Sequence, residues 1–417
     1  VSFSFPSVYR FGYNATLGFP QTKGFNMRII ITTILVCAVV GLSAGLGVAA
    51  DAPTKLAAPK TLVSFNIPAD GQVIVLPVTF GGGKEYQFLL DTGSAYNTFD
   101  TSFEAQLGKP RQSMKALGND GKEHVVHVYY SPDARLGPLS FRQGGPVLCV
   151  DLTELREVTG LDIRGVIGMG FLRHYVLQID CPAGKLKLMK PGDEARTPGD
   201  WGQAVDMRRA VQGSPLVLGR LYGKYGAMFL IDTGYLDSAG LSGKLFDLLN
   251  KDKLFTVVIQ TPVETLRGKS VGTAARVDKF ALGKRNYSGL IFNRSAGGNM
   301  LGMGFVRRQK LTMDFPNLKA YLDAPARSVD QNDMSGLHLL QKKEGLAVHS
   351  VDENSQASLA GIKAGDILSQ INTQPVSKLS LWKVRQMLRA KDGQKVEIIF
   401  QRDKKFFKTS FALKKRI

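Results

Sequence analysis

Two short stretches hold residues whose types and spacing could do chemistry. "FLLDTGS" (Phe88 to Ser94) and "FLIDTGY" (Phe229 to Tyr235) each end an apolar run in Asp-Thr-Gly. The apolar residues predict a buried strand that delivers the aspartate to its end, where Thr and Gly make a tight turn. Gly tolerates the backbone angles of such a turn and lets another chain approach closely. Taken alone, each aspartate reads equally well as a turn former that closes a β-loop. If the two turns meet, however, Asp91 and Asp232 come within hydrogen-bond range in a partly desolvated cleft. Two like charges that close cannot both ionise, so the pair shares a proton. The ionised member can then take a proton from water while the protonated one donates to a carbonyl oxygen. That combination hydrolyses an amide without a metal or a covalent intermediate.

The surrounding elements repeat as the turns do. "VIGMGFLRHYVLQIDCPAGKLKL" (Val166 to Leu188) aligns without a gap on "MLGMGFVRRQKLTMDFPNLKAYL" (Met300 to Leu322). The two aspartates stand 141 residues apart and the two Gly-Met-Gly-Phe segments 134 apart. Two matches at nearly the same offset mark an internal duplication, so the doubled turn is architectural.

Other reactive patterns lack their context. "GLSAG" (Gly41 to Gly45) has the spacing of a serine nucleophile turn but lies in an apolar leader-like run. "LRGKS" lacks the upstream Gly of a phosphate-binding loop. The five histidines (His124, His127, His174, His338, His349) form no His-Glu-x-x-His, and no Cys/His cluster has metal-ligand spacing. No metal and no cofactor are expected. Cys149 and Cys181 read either as a disulfide or as two buried thiols.

The chain of 417 residues is long enough for two or three domains, and 44% hydrophobic with 21% charged residues is a folded composition. The net charge of +19 is read as a solvated basic surface. No Lys/Arg stripe interleaved with aromatics points to nucleic acid. From Met27, a basic start, an apolar run and "VAA" predict a signal peptide over residues 27–50, with an uncleaved anchor as the alternative. Residues 1–26 read as an upstream extension. "AAPKTLV" is expected to be a linker. Short apolar or alternating runs such as "EYQFLL", "EHVVHVYY" and "YVLQID" then predict antiparallel strands over residues 60–190 and again over 204–323. A linker is expected over 324–335 and a compact α/β module over 336–417.

The duplicated pattern resembles the aspartic peptidases, in particular bacterial retropepsin-like proteins with a PDZ domain. In that family Asp-Thr/Ser-Gly is followed, roughly a domain's length later, by two apolar residues and Gly. Here Asp91-Thr92-Gly93 goes with Val166-Ile167-Gly168, and Asp232-Thr233-Gly234 with Met300-Leu301-Gly302. The resemblance implies a mostly β fold: two pseudo-symmetric retropepsin-like acid-protease β lobes plus a C-terminal α+β PDZ domain. It implies catalysis by Asp91 and Asp232, supported by Thr92, Gly93, Ser94, Thr233 and Gly234. A hairpin flap is expected at Ala116 to Val128, with a counterpart at Thr265 to Val277. The second copy departs from the pattern in Tyr235, where Ser, Thr or Ala is usual. A phenol there would reshape or fill the cleft, so a catalytically inactive peptide-binding scaffold is the alternative reading.

"SQASLAGIKAGDILSQINTQPV" (Ser355 to Val376) and the amphipathic "LSLWKVRQMLRA" (Leu379 to Ala390) resemble a PDZ domain of the bacterial protease-associated type. The resemblance implies that a peptide C-terminus adds as a strand, its carboxylate entering a backbone nest at Gly336, Leu337, His338 and Leu339. The expected protein is an exported, periplasmic or secreted aspartic endopeptidase that acts on peptide or protein substrates. It would work as a monomer, since one polypeptide supplies both aspartates, with no nucleic-acid partner. Membrane contact would come only through an uncleaved leader.

Overall fold

The runs that the sequence marks as strands pair as strands. A computed structural model describes residues 59–69, 71–117, 123–192, 201–210, 213–265, 268–295, 297–325, 330 and 332–417. The expected upstream extension and signal peptide lie outside them. Among the described residues no helix is long and apolar enough to cross a membrane. The fold is mostly β, with two large mixed sheets and a C-terminal antiparallel PDZ-like sheet.

Each acidic turn grows from the same unit of three strands. In the first copy, strand Val75–Phe80 pairs antiparallel with Lys84–Leu90, which runs into Asp91. Strand Ile163–Ile167 returns parallel to it, with Val166 opposite Leu89 and Ile167 opposite Leu90. In the second copy Pro215–Leu221 pairs with Tyr225–Ile231, and Met300–Leu301 lies parallel to Leu230 and Ile231. Parallel strands flanked on both faces bury both sets of side chains, which is why these runs are continuously apolar rather than alternating. Phe88, Leu90, Phe229 and Ile231 are all fully buried.

The copies are joined by strands from both. Val176–Asp180 pairs antiparallel with its own counterpart Lys310–Asp314, with Gln178 opposite Thr312. The Gln178 amide donates to Thr312 Oγ1 at 2.9 Å across this seam. Lys185–Met189, Lys319–Leu322, Thr61–Asn66 and Gln203–Arg209 extend the sheet outward on the two sides. The segment "AAPKTLV", expected as a linker, therefore enters a strand at Thr61. Its partner Met189 is remote in sequence, and no local pattern reports such a pairing.

The C-terminal module has its own core, built on Leu337, Leu339, Val348, Ile371, Val384, Ile398 and their neighbours. The amphipathic run forms helix Leu381–Met387, capped by Ser380, whose hydroxyl accepts from Lys383 N. The expected linker over 324–335 ends inside this module: Met334 and Ser335 are buried. Asp330, within the same stretch, pairs with Arg308 of the second lobe and accepts from Ile291 N at 2.9 Å.

Candidate active site

The two turns meet. Thr92 N donates to Thr233 Oγ1 at 3.1 Å, and Thr233 N donates to Thr92 Oγ1 at 3.1 Å. Each hydroxyl then donates to the strand behind the opposite turn: Thr92 Oγ1 to Ile231 O at 2.7 Å, Thr233 Oγ1 to Leu90 O at 2.8 Å. Both threonines are fully buried, so these four bonds lock the turns face to face. Ser214 adds a fifth tie, its buried hydroxyl donating to Gly93 O at 3.1 Å. Thr92→Val removes a hydroxyl that serves as donor and acceptor, leaving Ile231 O and Thr233 N buried without partners. At about 1–3 kcal/mol per unsatisfied group, the expected loss is about 2–6 kcal/mol of unfolding free energy by urea titration. Thr92→Ser keeps the hydroxyl and retains most of that stability.

Asp91 and Asp232 lie across this lock, each 1% exposed and each set against the glycine of the other's turn. Gly93 N and Ser94 N donate to Asp91 Oδ1 at 2.8 and 3.0 Å, and Gly234 N donates to Asp232 Oδ1 at 2.9 Å. The other Asp91 oxygen, Oδ2, is buried and receives no N–H or hydroxyl donor among the described residues. Burial raises the Asp91 carboxyl above its ordinary value, opposed by the Gly93 amide and by the bonds from Asp232 and Ser94. For Asp232, burial acts together with the Asp91 charge and drives the carboxyl well above the carboxylate range. Both carboxyls are thus raised, Asp232 the further, as two close acids that hold one proton between them would be.

Ser94 steadies Asp91 through its amide, while its hydroxyl turns away and donates to Tyr96 O at 3.0 Å. Tyr235 is fully buried inside the second lobe, its ring against Gly302 and its hydroxyl beside Gly240. A Cβ on Gly302 would stand 2.5 Å from that ring, so the glycine makes the slot. The phenol accepts from Asn293 Nδ2 at 3.3 Å, and the same amide donates to Asp237 at 3.1 Å.

Several residues that matter here gave no sequence signal. Asn97 Oδ1 accepts from Gly168 N at 3.0 Å, while in the second copy a backbone carbonyl, Ser238 O, takes the matching Gly302 N at 2.9 Å. Asn97 and Ser214 look like ordinary turn residues in the text. Asp237 is half-buried, and desolvation pushes its carboxyl up to about 6 against the opposing charges of Arg389 and Arg385. Cys149 and Cys181 are separate buried free thiols, raised by burial to about 12 and about 11.

The two expected flaps differ. The first is a hairpin, Gln112–Leu117 with Glu123–Tyr129; its expected Asp120-Gly121 tip lies outside the described residues. The second, Val258–Thr265 with Gly268–Val277, pairs at its far end with PDZ strand Gly345–Asp352, Val263 lying opposite Asp352 and Thr265 opposite Ser350. In the expected carboxylate nest, Gly336 N donates to Asp333 Oδ1 at 2.6 Å and Leu337 N to Ser335 Oγ at 3.0 Å. His338 bonds Asp352 at 2.7 Å, and Leu339 O accepts from Arg385 at 2.7 Å.

Residues 76–171 match the aspartyl protease family model, and residues 348–402 match the PDZ domain model. The chain therefore carries an aspartyl protease domain and a C-terminal PDZ domain, a class of module that binds peptides. It is also similar to a probable periplasmic serine endoprotease DegP-like of Marinomonas sp. (strain MWYL1), at 26% identity over 247 residues. That match covers 56% of this chain and 45% of the relative, so the chain spans less than half the length of this curated relative.

Proposed function

We propose that this chain is an exported aspartic endopeptidase in which Asp91 and Asp232 share one proton. The observation that carries the reading is the reciprocal Thr92–Thr233 lock, which sets two buried carboxyls against each other's turns. Ionised Asp91 removes a proton from a water as its oxygen attacks the peptide carbonyl carbon. Protonated Asp232 donates to the carbonyl oxygen, giving a neutral tetrahedral diol. Asp91 then passes its new proton to the leaving nitrogen while Asp232 recovers its own, and the C–N bond breaks. The pair ends as it began, and no covalent enzyme intermediate forms.

Both acids come from one polypeptide, which favours a working monomer. The first hairpin is the flap, because the second is engaged by the PDZ sheet. The PDZ domain is read as a site for peptide C-termini. The leader-like stretch from Met27 to Ala50 supports export, and so does the periplasmic relative.

The purified protein is expected to cleave an unfolded protein substrate best in acid. The rate falls on the alkaline side as Asp232 loses the proton that burial and Asp91 help it keep. A statine-containing peptide, which mimics the hydrated amide, should block cleavage. Phenylmethylsulfonyl fluoride should not. Hydrolysis that ignores statine and yields to the sulfonyl fluoride would assign the chemistry to a serine instead.

A further inference from the structure

A PDZ module takes its peptide along the open edge of one strand, beside one helix. In this chain those elements are strand Leu337–Lys342 and helix Leu381–Met387. The strand pairs on one side with Gly345–Asp352. On its other side the first lobe is already in place: helix Thr153–Thr159 packs against it. Gly160, which ends that helix at φ +69°, touches both walls of the groove. A Cβ there would stand 2.9 Å from Leu381 Cβ and 3.8 Å from Gln341 Cβ.

The contacts are chemically specific. Arg385 reaches from the groove helix with Nη1 donating to Val158 O at 2.9 Å and to Gln72 Oε1 at 2.7 Å. Its Nη2 donates to Leu339 O on the groove strand at 2.7 Å. Lys342 on that strand pairs with Glu157 on the lobe helix. Leu340 is buried in one apolar cluster with Leu155, Val158 and Leu236 rather than in the PDZ core. At the carboxylate end, the Asp333 carboxylate and Ser335 hydroxyl hold the Gly336 and Leu337 amides that a terminal carboxylate would use.

We propose that helix Thr153–Thr159 is the built-in occupant of the PDZ groove, so that a peptide ligand and the first lobe compete for one surface. The inference rests on the reading of this strand and helix as the peptide groove. The ligand it fits has apolar side chains and a free C-terminal carboxylate. Leu340 and Arg385 meet such a peptide once the helix leaves. Peptide binding then releases the PDZ domain from the lobe, and strains its second tie, the strand pairing with the second hairpin.

The test uses the full chain and a fluorescein-labelled decapeptide ending in Ala-Val-Leu with a free carboxylate, followed by anisotropy. Glu157→Lys sets two like charges against each other at the latch, and should tighten peptide binding about five-fold. The swap Glu157→Lys with Lys342→Glu restores the pair and returns the affinity to that of the native chain. A chain carrying Glu157→Cys and Lys342→Cys, joined by a short bis-maleimide, should bind no peptide. Cys37 is replaced by Ser in this chain, and the other two native thiols, Cys149 and Cys181, are buried. Equal affinity in the native, reversed and cross-linked chains overturns the competition. Absence of binding in all of them, the Glu157→Lys chain included, overturns the peptide-groove reading itself.

Discussion

Asp91→Asn and Asp232→Asn are each expected to lower kcat for peptide hydrolysis by about 10³-fold or more, with the double variant little worse than either single one. General acid–base groups contribute about 10²–10⁴-fold each, and groups that act as a unit lose their joint effect when either is removed. The amide that Asp91→Asn introduces cannot accept the proton of water. The one that Asp232→Asn introduces donates a hydrogen bond but cannot transfer a proton to the carbonyl oxygen. Stability should move differently. The folded Asp232 carboxyl titrates well above its ordinary 3.8, so its protonated form favours the fold. That contribution is complete below pH 3.8 and disappears as pH rises through the raised value. An amide at this position has no such proton to lose, so Asp232→Asn should be at least as stable as the native chain at neutral pH, by thermal melting. A variant inactive because it is unfolded would lose both properties. If cleavage persists in the double variant, the chemistry lies elsewhere.

The pair was legible in the sequence because duplication repeats the same signal at a constant offset. Phe88 to Gly93 and Phe229 to Gly234 each read as a buried strand with an acidic turn, and the Gly-Met-Gly-Phe segments supplied the parallel strands beside them. What failed to show was what depends on remote partners. Thr61 to Val63 read as linker because the strand that pairs with them lies at the far end of the first lobe. Tyr235 read as an obstruction because its slot is made by Gly240 and Gly302, which nothing local connects to it. The engagement of the second hairpin by the PDZ sheet and the seat of helix Thr153–Thr159 on the groove strand are contacts between units. Periodicity within either unit is blind to them.

Geometry, not the presence of two acids, is what the second large prediction probes. Gly93 and Gly234 lie where each turn passes the other's carboxyl. A Cβ on Gly93 would stand 2.5 Å from Asp232 Cγ and 2.6 Å from both its oxygens; one on Gly234 would stand 2.6 Å from Asp91 Cγ. Gly93→Ala therefore drives a methyl between the acids while leaving both in the chain. Displacing a reacting group by about 1 Å costs about 10²-fold in rate, and a loss of at least that size is expected in kcat. The pH profile should change with it. Once parted from Asp91, Asp232 loses the nearby charge and hydrogen bond that help keep it protonated, so the alkaline limb should move to lower pH. Gly226→Ala, in the strand leading to the second turn, meets only Leu218 Cδ1 at 3.8 Å and should leave rate and profile unchanged. A Gly93→Ala protein with native kcat and an unmoved alkaline limb would mean that the two carboxyls do not share a proton, whatever their individual roles.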